Sequence, residues 1–326
     1  MKHSKILLGT GAALGMLVLI LDGRTAVSGA QTGLILCLVT LIPSLFPFFL
    51  LSGALMKALS GMKTPFLSLL GRLCGIPAGC EAVLLPGFLG GYPVGAQAVA
   101  SAWQSGQISK EQAERMLAFC SNAGPAFLFG VCGSFFPKLW MVWALWGIHI
   151  ISAVLTAWCS PRVDGTASEG SMPHTANPDI FMNALRGIGI VCGWVIFFRV
   201  IISFLERWVL WCLPAAVQTM VMSLLELANG CCALGNVSST AVRFLLCAGM
   251  LAFGGICVTM QTASVASGLS IKPYIRGKLT QTGFSLLLSA LLVFPPARMY
   301  CLLLTALILL LGKKQKRCRF PEAVRV

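Results

Sequence analysis

Apolar residues in this chain come in runs too continuous for alternating strands and too long for most soluble helices. Behind Lys2 and Lys5, one such run extends from Ile6 to Leu21. Others occupy about 28–59, 109–136, 138–158, 180–204, 240–268, 276–295 and 298–312. A helix crosses a hydrocarbon core of about 30 Å with roughly 20 apolar residues. The pattern therefore predicts an all-α polytopic membrane protein with about eight transmembrane helices. A transmembrane barrel would alternate over segments of about ten residues, and the chain does not. Two apolar segments, 76–106 and 213–237, are interrupted by polar residues and helix breakers and fit poorly as crossings. The first run is read as an uncleaved helix rather than a signal peptide, although "VSGA" (27–30) ends in a small-x-small pattern.

Composition agrees with the pattern: 57% of residues are hydrophobic and 10% charged, against roughly a quarter charged in soluble domains. The net charge of +14 sorts by face. With the N-terminus inside, and each irregular segment entering and leaving by one face, the outer side holds only Arg24, Lys138, Arg207, Arg243 and Arg298. The remaining Lys and Arg, apart from Arg199 within a span, fall inside, as the positive-inside rule requires. Both termini are then cytoplasmic, and "KKQKRCR" (313–319) is a basic membrane-proximal end. The alternative, a nucleic-acid-binding tail, lacks any accompanying binding module, so no nucleic acid is expected. The 14 cysteines show no C-x-x-C spacing, and the only histidines are His3, His149 and His174. No metal site or cofactor is expected, and the cysteines read as small apolar residues.

The predicted organisation is a helix in 1–27, a first repeat in 28–159, a polar cytoplasmic linker in 160–178, a second repeat in 179–312 and the basic tail 313–326. "ERMLAFCSNAGPAFLFG" (114–130) pairs loosely with "VRFLLCAGMLAFGGICV" (242–258), and "GFLGGYPVGA" (87–96) with "ELANGCCALG" (226–235). The charge-based topology puts the first irregular segment inside and the second outside. This is the arrangement of inverted repeats whose re-entrant hairpins meet near the membrane midplane.

Candidate chemistry follows from where backbone leaves the helix in an apolar medium. Gly90, Gly91 and Pro93 break the first hairpin, so a half-helix starts near Val94–Gly95, and its free N–H groups suit an anion. Tyr92 can stack on a ring or donate a hydrogen bond. A plain cytoplasmic loop between two short helices is the competing reading. "CSNAGP" (120–125) breaks the next helix, where Ser121 and Asn122 offer polar groups and Gly124–Pro125 frees carbonyls. The competing reading there is a proline kink with Asn122 bonded between helices. Glu226, Asn229 and Gly230 are placed at the second tip, and "GGICVTMQ" (254–261), with Gln261, breaks its partner helix. Of the ionisable groups in apolar segments, Glu226 is the leading candidate, for proton exchange or for holding a cation. Glu81 is an interface candidate, Arg199 pairs either with a substrate carboxylate or in an ion pair within the bundle, and His149 reads as a packing residue. Lys110, Glu111, Glu114 and Arg115 read as a solvated face.

The stretch "LGGYPVGAQAVASAWQSGQISKEQAERMLAFCSNAGPAFLFGV" (89–131), with the acidic residue before Asn-Gly (226–230) and "GLSIKPYIRGKL" (268–279), resembles the YlbJ-type sporulation integral membrane protein family. Gly90 stands where that family is expected to have Ser, and "SNAGP" replaces a more Asn-rich version. The resemblance covers about residues 28–312 and implies the nucleoside recognition or gate domain shared with concentrative nucleoside transporters. It implies an endospore-forming bacterium and a secondary transporter carrying dipicolinic acid across the outer forespore membrane. Its partners would be a small anionic substrate, a coupling ion (proton or sodium) and the lipid bilayer, with a homo-oligomer compatible. The competing functions are a nucleoside-type permease and a non-transporting sporulation scaffold. An enzyme is not expected, because no Ser/His, paired-Asp or His-Glu-x-x-His arrangement sits within a span.

Overall fold

The computed structural model describes residues 2–59, 65–163 and 179–294, together with residues 302, 305 and 306, and these contain helices and no strand. Most of the linker, the run at 298–312 apart from three positions, and the basic tail lie outside the described residues.

The first half opens with α1 (Lys2–Leu21) and α2 (Gly23–Leu36), separated at Asp22, whose side chain accepts a hydrogen bond from Thr25 N and caps α2. A π-helical turn at Cys37–Leu41 leads into α3 (Ile42–Leu59), and the helix passes Pro43 and Pro47 instead of ending there. The wide turn precedes the first missing proline donor, and Ser44 Oγ donates to the carbonyls of Thr40 at 2.6 Å and Leu41 at 3.3 Å. Next come α4 (Pro65–Cys74), α5 (Val94–Gln104), α6 (Lys110–Leu117) and α7 (Pro125–Phe127), which continues as a π turn through Cys132, then α8 (Leu139–Cys159). The second half comprises α9 (Ile180–Trp208), α10 (Ala215–Leu225), α11 (Leu227–Cys232), α12 (Thr240–Phe253), α13 (Gly255–Val265) and α14 (Lys272–Val293). Helix starts carry caps that the sequence spells out: Ser109 and Gln112 form a capping box at α6, Asp179 caps α9 and Ser239 caps α12.

Among the described residues four stretches are long and apolar enough to cross a membrane: Gly23–Leu55, Leu139–Cys159, Ile180–Trp208 and Thr240–Val265. The other expected crossings differ for identifiable reasons. The apolar part of α1 is short, 109–136 is broken by an extended segment, and α14 is 22 residues long but carries Lys272, Arg276, Lys278 and Gln281. Large apolar side chains point outward from several helices, among them Val39 at 71% exposure and Trp211 at 74%, a surface suited to lipid and costly in water.

Small residues set the packing. Gly29 and Gly33, four apart, bring α2 against Val200 and Ile196 of α9, where an added Cβ would sit 3.0 Å from either Cα. One apolar cluster joins α3, α8, α9, α11 and α12 in the centre, and a second gathers α4, α5, α6 and Tyr274 toward one end.

That end corrects one sequence expectation. Arg115 is buried, and its guanidinium donates to the carbonyls of Cys74, Gly75, Ala157 and Pro161 at 2.7–3.1 Å. Glu114 accepts from Ser270 N at 2.9 Å. Two residues expected to be merely solvated therefore tie the ends of α4, α8 and the α13–α14 connection to α6.

In the tightest packing of the fold, an added Cβ at Gly95 would collide with the Cys120 carbonyl and sit 2.8 Å from Gly87 Cα, whereas one at Gly147 would meet nothing within 4 Å. Gly95→Ala is expected to cost about 2 kcal/mol or more through overpacking and Gly147→Ala little. Thermal unfolding of the detergent-purified variants checks this, and a Gly95→Ala protein as stable as wild type would contradict the packing.

Candidate functional site

In the first half the chain passes from a π turn at Pro86–Gly90 through Gly91, with φ 82° and ψ −178°, to Tyr92 and Pro93, and restarts as α5 at Val94. A side chain at Gly91 would be strained by the left-handed φ alone. The helix therefore begins where the sequence placed it. Gly95 packs back on Gly87, both lie against the carbonyl of Cys120, and Gly91 touches Gly124. The turn of the first hairpin thus sits directly on the extended segment Ser121–Gly124 that separates α6 from α7.

The second half repeats the arrangement with different residues. Between α10 and α11 only Glu226 is non-helical, at φ −146° and ψ 123°. Its carboxylate accepts from Ala228 N at 2.9 Å, Asn229 N at 2.7 Å and Asn229 Nδ2 at 2.7 Å, satisfying the first free N–H groups of α11. The partner helix breaks at Gly254 and Gly255, with φ 78° and 83°. Gly255 is held against the carbonyl oxygens of Ser223, Leu224 and Leu225, so this hairpin also docks on the break beside it. The expected tip is corrected in one respect: Glu226 forms the turn, while Asn229 and Gly230 belong to α11. Gly230 packs on Ser223 as Gly95 packs on Gly87.

The halves are joined at these breaks. The Tyr92 hydroxyl donates to Leu251 O at 3.2 Å, a carbonyl in the last turn of α12, and the Tyr92 ring lies 3.3 Å from the position of a Cβ on Gly254. The thiols of Cys132 and Cys231 approach to 3.5 Å between the α7 turn and α11. A cavity of about 40 Å³ lies between the two hairpins, lined by Gly91, Tyr92, Gly124, Glu226 and Gln261 together with apolar residues such as Phe127. Five sequence-predicted site residues from both halves therefore share one space. It has room for a few water molecules. Pro93 and Pro125 start α5 and α7 beside this space, and Gly90 is tucked against Val94.

Asn122 faces a second polar node that the sequence reading missed, while the hydroxyl of fully buried Ser121 has no partner. Lys278, assigned from sequence to the cytoplasmic charge cluster, is 1% exposed. Its Nζ donates to Gln281 Oε1 at 2.7 Å, Tyr92 Oη at 3.1 Å and Asn122 Oδ1 at 3.4 Å, with the Tyr92 and Tyr274 ring centroids 5.1 and 5.7 Å away. Gln281 Nε2 donates to Asn122 Oδ1 at 2.9 Å, and Asn122 Nδ2 to Phe119 O at 2.7 Å. His149 Nε2 accepts from Ala123 N at 3.0 Å, which makes it a satisfied packing residue on that side of the ring. The signal was present as a phase. Tyr274, Lys278, Gln281 and Ser285 recur at helical spacing on one buried stripe, while Ile275, Leu279 and Leu286 face outward.

Two other candidates fall elsewhere. Arg199 pairs with Glu206 of its own helix at 2.9 Å. Glu81 accepts from Gly79 N at 2.9 Å and packs on Gly71, away from the cavity.

Comparison with known proteins finds similarity to the sporulation integral membrane protein YlbJ of Bacillus subtilis (strain 168), 32% identical over 112 residues. The matched segment is 33% of this chain and 27% of that protein, so the similarity spans little more than a quarter of the relative's length. No family model matches the chain. No solved structure matches it either.

Tyr92→Phe keeps the ring but leaves Leu251 O and one Lys278 N–H without their partner. A loss of about 1–3 kcal/mol is expected from the unsatisfied buried groups, read as a lowered unfolding temperature in detergent. An unchanged temperature would show that the hydroxyl does not join the halves.

Proposed function

We propose that this chain is a secondary transporter of a small anionic aromatic metabolite, dipicolinic acid carried into the forespore during sporulation. The observation that carries the reading is the meeting of two interrupted helix pairs, one from each half, around a shared cavity containing Glu226. Such half-helix pairs are how inverted-repeat carriers expose backbone groups to a solute. The similarity to a sporulation membrane protein, and the resemblance of residues 89–131 to that family, support the biological setting. In this reading each hairpin is re-entrant from the face its flanking charges dictate, both termini are cytoplasmic, and the protein resides in the outer forespore membrane. The small cavity belongs to one state of an alternating cycle and widens when a hairpin separates from the broken helices of the other half. Glu226 serves the coupling ion, a proton or sodium, because its carboxylate lines the cavity while anchored to the start of α11. A scaffold would not need two such breaks in register.

A nucleoside-type permease is the second reading, favoured by the same broken helices. Its drawback is the lining: only Tyr92, Glu226 and Gln261 bring polar side chains to the cavity, few for a ribose.

Spores lacking the protein are expected to contain at least about tenfold less dipicolinate, with a normal or raised mother-cell pool. Normal spore content would reject this cargo. Glu226→Gln and Tyr92→Ala are each expected to abolish uptake per molecule of folded protein in liposomes. Full activity in both would remove these residues from the site while leaving the fold in place.

A further inference from the structure

The cavity and the Lys278 node meet at one side chain. Tyr92 lines the cavity and its hydroxyl accepts from Lys278 Nζ, and Ala123 lines the cavity while its N–H is held by His149. Resting on the transport reading above, we propose that Lys278 is the fixed cation that receives a carboxylate of the solute. Tyr92 is the partition that separates it from the cavity in this structure.

Three features lead to this assignment. The first is a buried basic group with no acidic partner. The three hydrogen bonds of Nζ match the three donors of an ammonium group, yet every acceptor is a neutral oxygen. The ion pairs among the described residues are Arg199–Glu206 and Arg207–Asp22, and neither involves Lys278. A buried cation held only by neutral groups is costly, and an incoming carboxylate supplies the missing countercharge through bonds roughly twice as strong as neutral ones.

The second is a surplus of donors. Because His149 Nε2 accepts from Ala123 N, the neutral ring carries its proton on Nδ1, and that buried atom has no partner. Ser121 Oγ, fully buried one residue before Asn122, has none either. The spare donor of His149, whose carbonyl accepts from Gln281 Nε2 at 3.4 Å, favours an acceptor-rich, negatively charged ligand beside Lys278. The third is polarity across the site. Glu226 lines the cavity and repels a carboxylate, so an anion entering there is oriented with its charge toward Tyr92 and Lys278 and its ring against Tyr92 and Phe127. The ligand class is an aromatic carboxylate, with a carboxylate oxygen replacing the Tyr92 hydroxyl on Nζ.

The test uses the full chain in liposomes with dipicolinate as the probe and pyridine-2,6-dicarboxamide as its neutral counterpart. Wild type is expected to bind and carry dipicolinate. Lys278→Met removes the cation at similar length, and Gln281→Glu leaves Lys278 in place but puts a carboxylate where its Oε1 partner stands. Each variant is expected to weaken dipicolinate binding about tenfold or more, the equivalent of one charge-assisted hydrogen bond, with diamide binding unchanged. Gln281→Glu decides alone if Lys278→Met does not fold. Dipicolinate binding and transport at wild-type levels in the folded variants would overturn the role of Lys278 while leaving the transport reading intact. An equal loss for acid and diamide would reduce Lys278 to a structural residue. A wild-type protein that neither binds nor carries dipicolinate would overturn both.

Discussion

Backbone N–H and C=O groups have no water to turn to in an apolar surrounding, and each one left unpaired costs about as much as a lost hydrogen bond. This chain interrupts its helices at Gly91–Pro93, Ser121–Gly124, Glu226 and Gly254–Gly255, and the rest of the architecture answers that need. Glu226 covers the first N–H groups of α11, Tyr92 covers the Leu251 carbonyl, Asn122 covers Phe119 O, and His149 covers Ala123 N. Ser285 of α14 similarly donates to Ala248 O at 2.9 Å. The breaks are thus satisfied by one another's neighbours, which forces the two halves together at a single level of the bundle.

Satisfying backbone in this way concentrates polar side chains that an apolar interior would otherwise exclude. Glu226 is anchored by three donors and borders the cavity, while Lys278 is caged by three neutral acceptors behind Tyr92. The groups that repair the fold are therefore the ones able to meet a solute. Substituting them tests structure and function together, and isosteric or charge-only changes separate the two better than truncations do. Arg115 does a purely structural version of the same work at the end of the bundle, closing the carbonyl ends of α4 and α8.

Much of this was legible along the chain. The apolar runs announced apolar helices, one of them starting near Ser109, and Gly-Gly-Tyr-Pro marked the first break. At the second break the expected tip differs from the observed turn. The turn there needs only one extended residue, and Gly230 serves packing and not the turn. Arg115 and Lys278 were misplaced for a common reason: a charge near the end of an apolar run reads as solvent-facing. Only the phase of Tyr274, Lys278, Gln281 and Ser285 told otherwise.

The sequence by itself determined that the chain is helical and where several helices break, because these depend on residues within one or two turns, whereas four of the expected stretches, not eight, prove long and apolar enough to span among the described residues. It also named the residues able to do chemistry at each break. Which break meets which was decided by the tertiary structure alone. Tyr92 reaches α12 and Lys278 across 159 and 186 residues of chain, and no local preference encodes such a distance. Contacts of that kind follow from close packing of small residues at Gly87, Gly95 and Gly124, and from the requirement that each exposed backbone group find its partner.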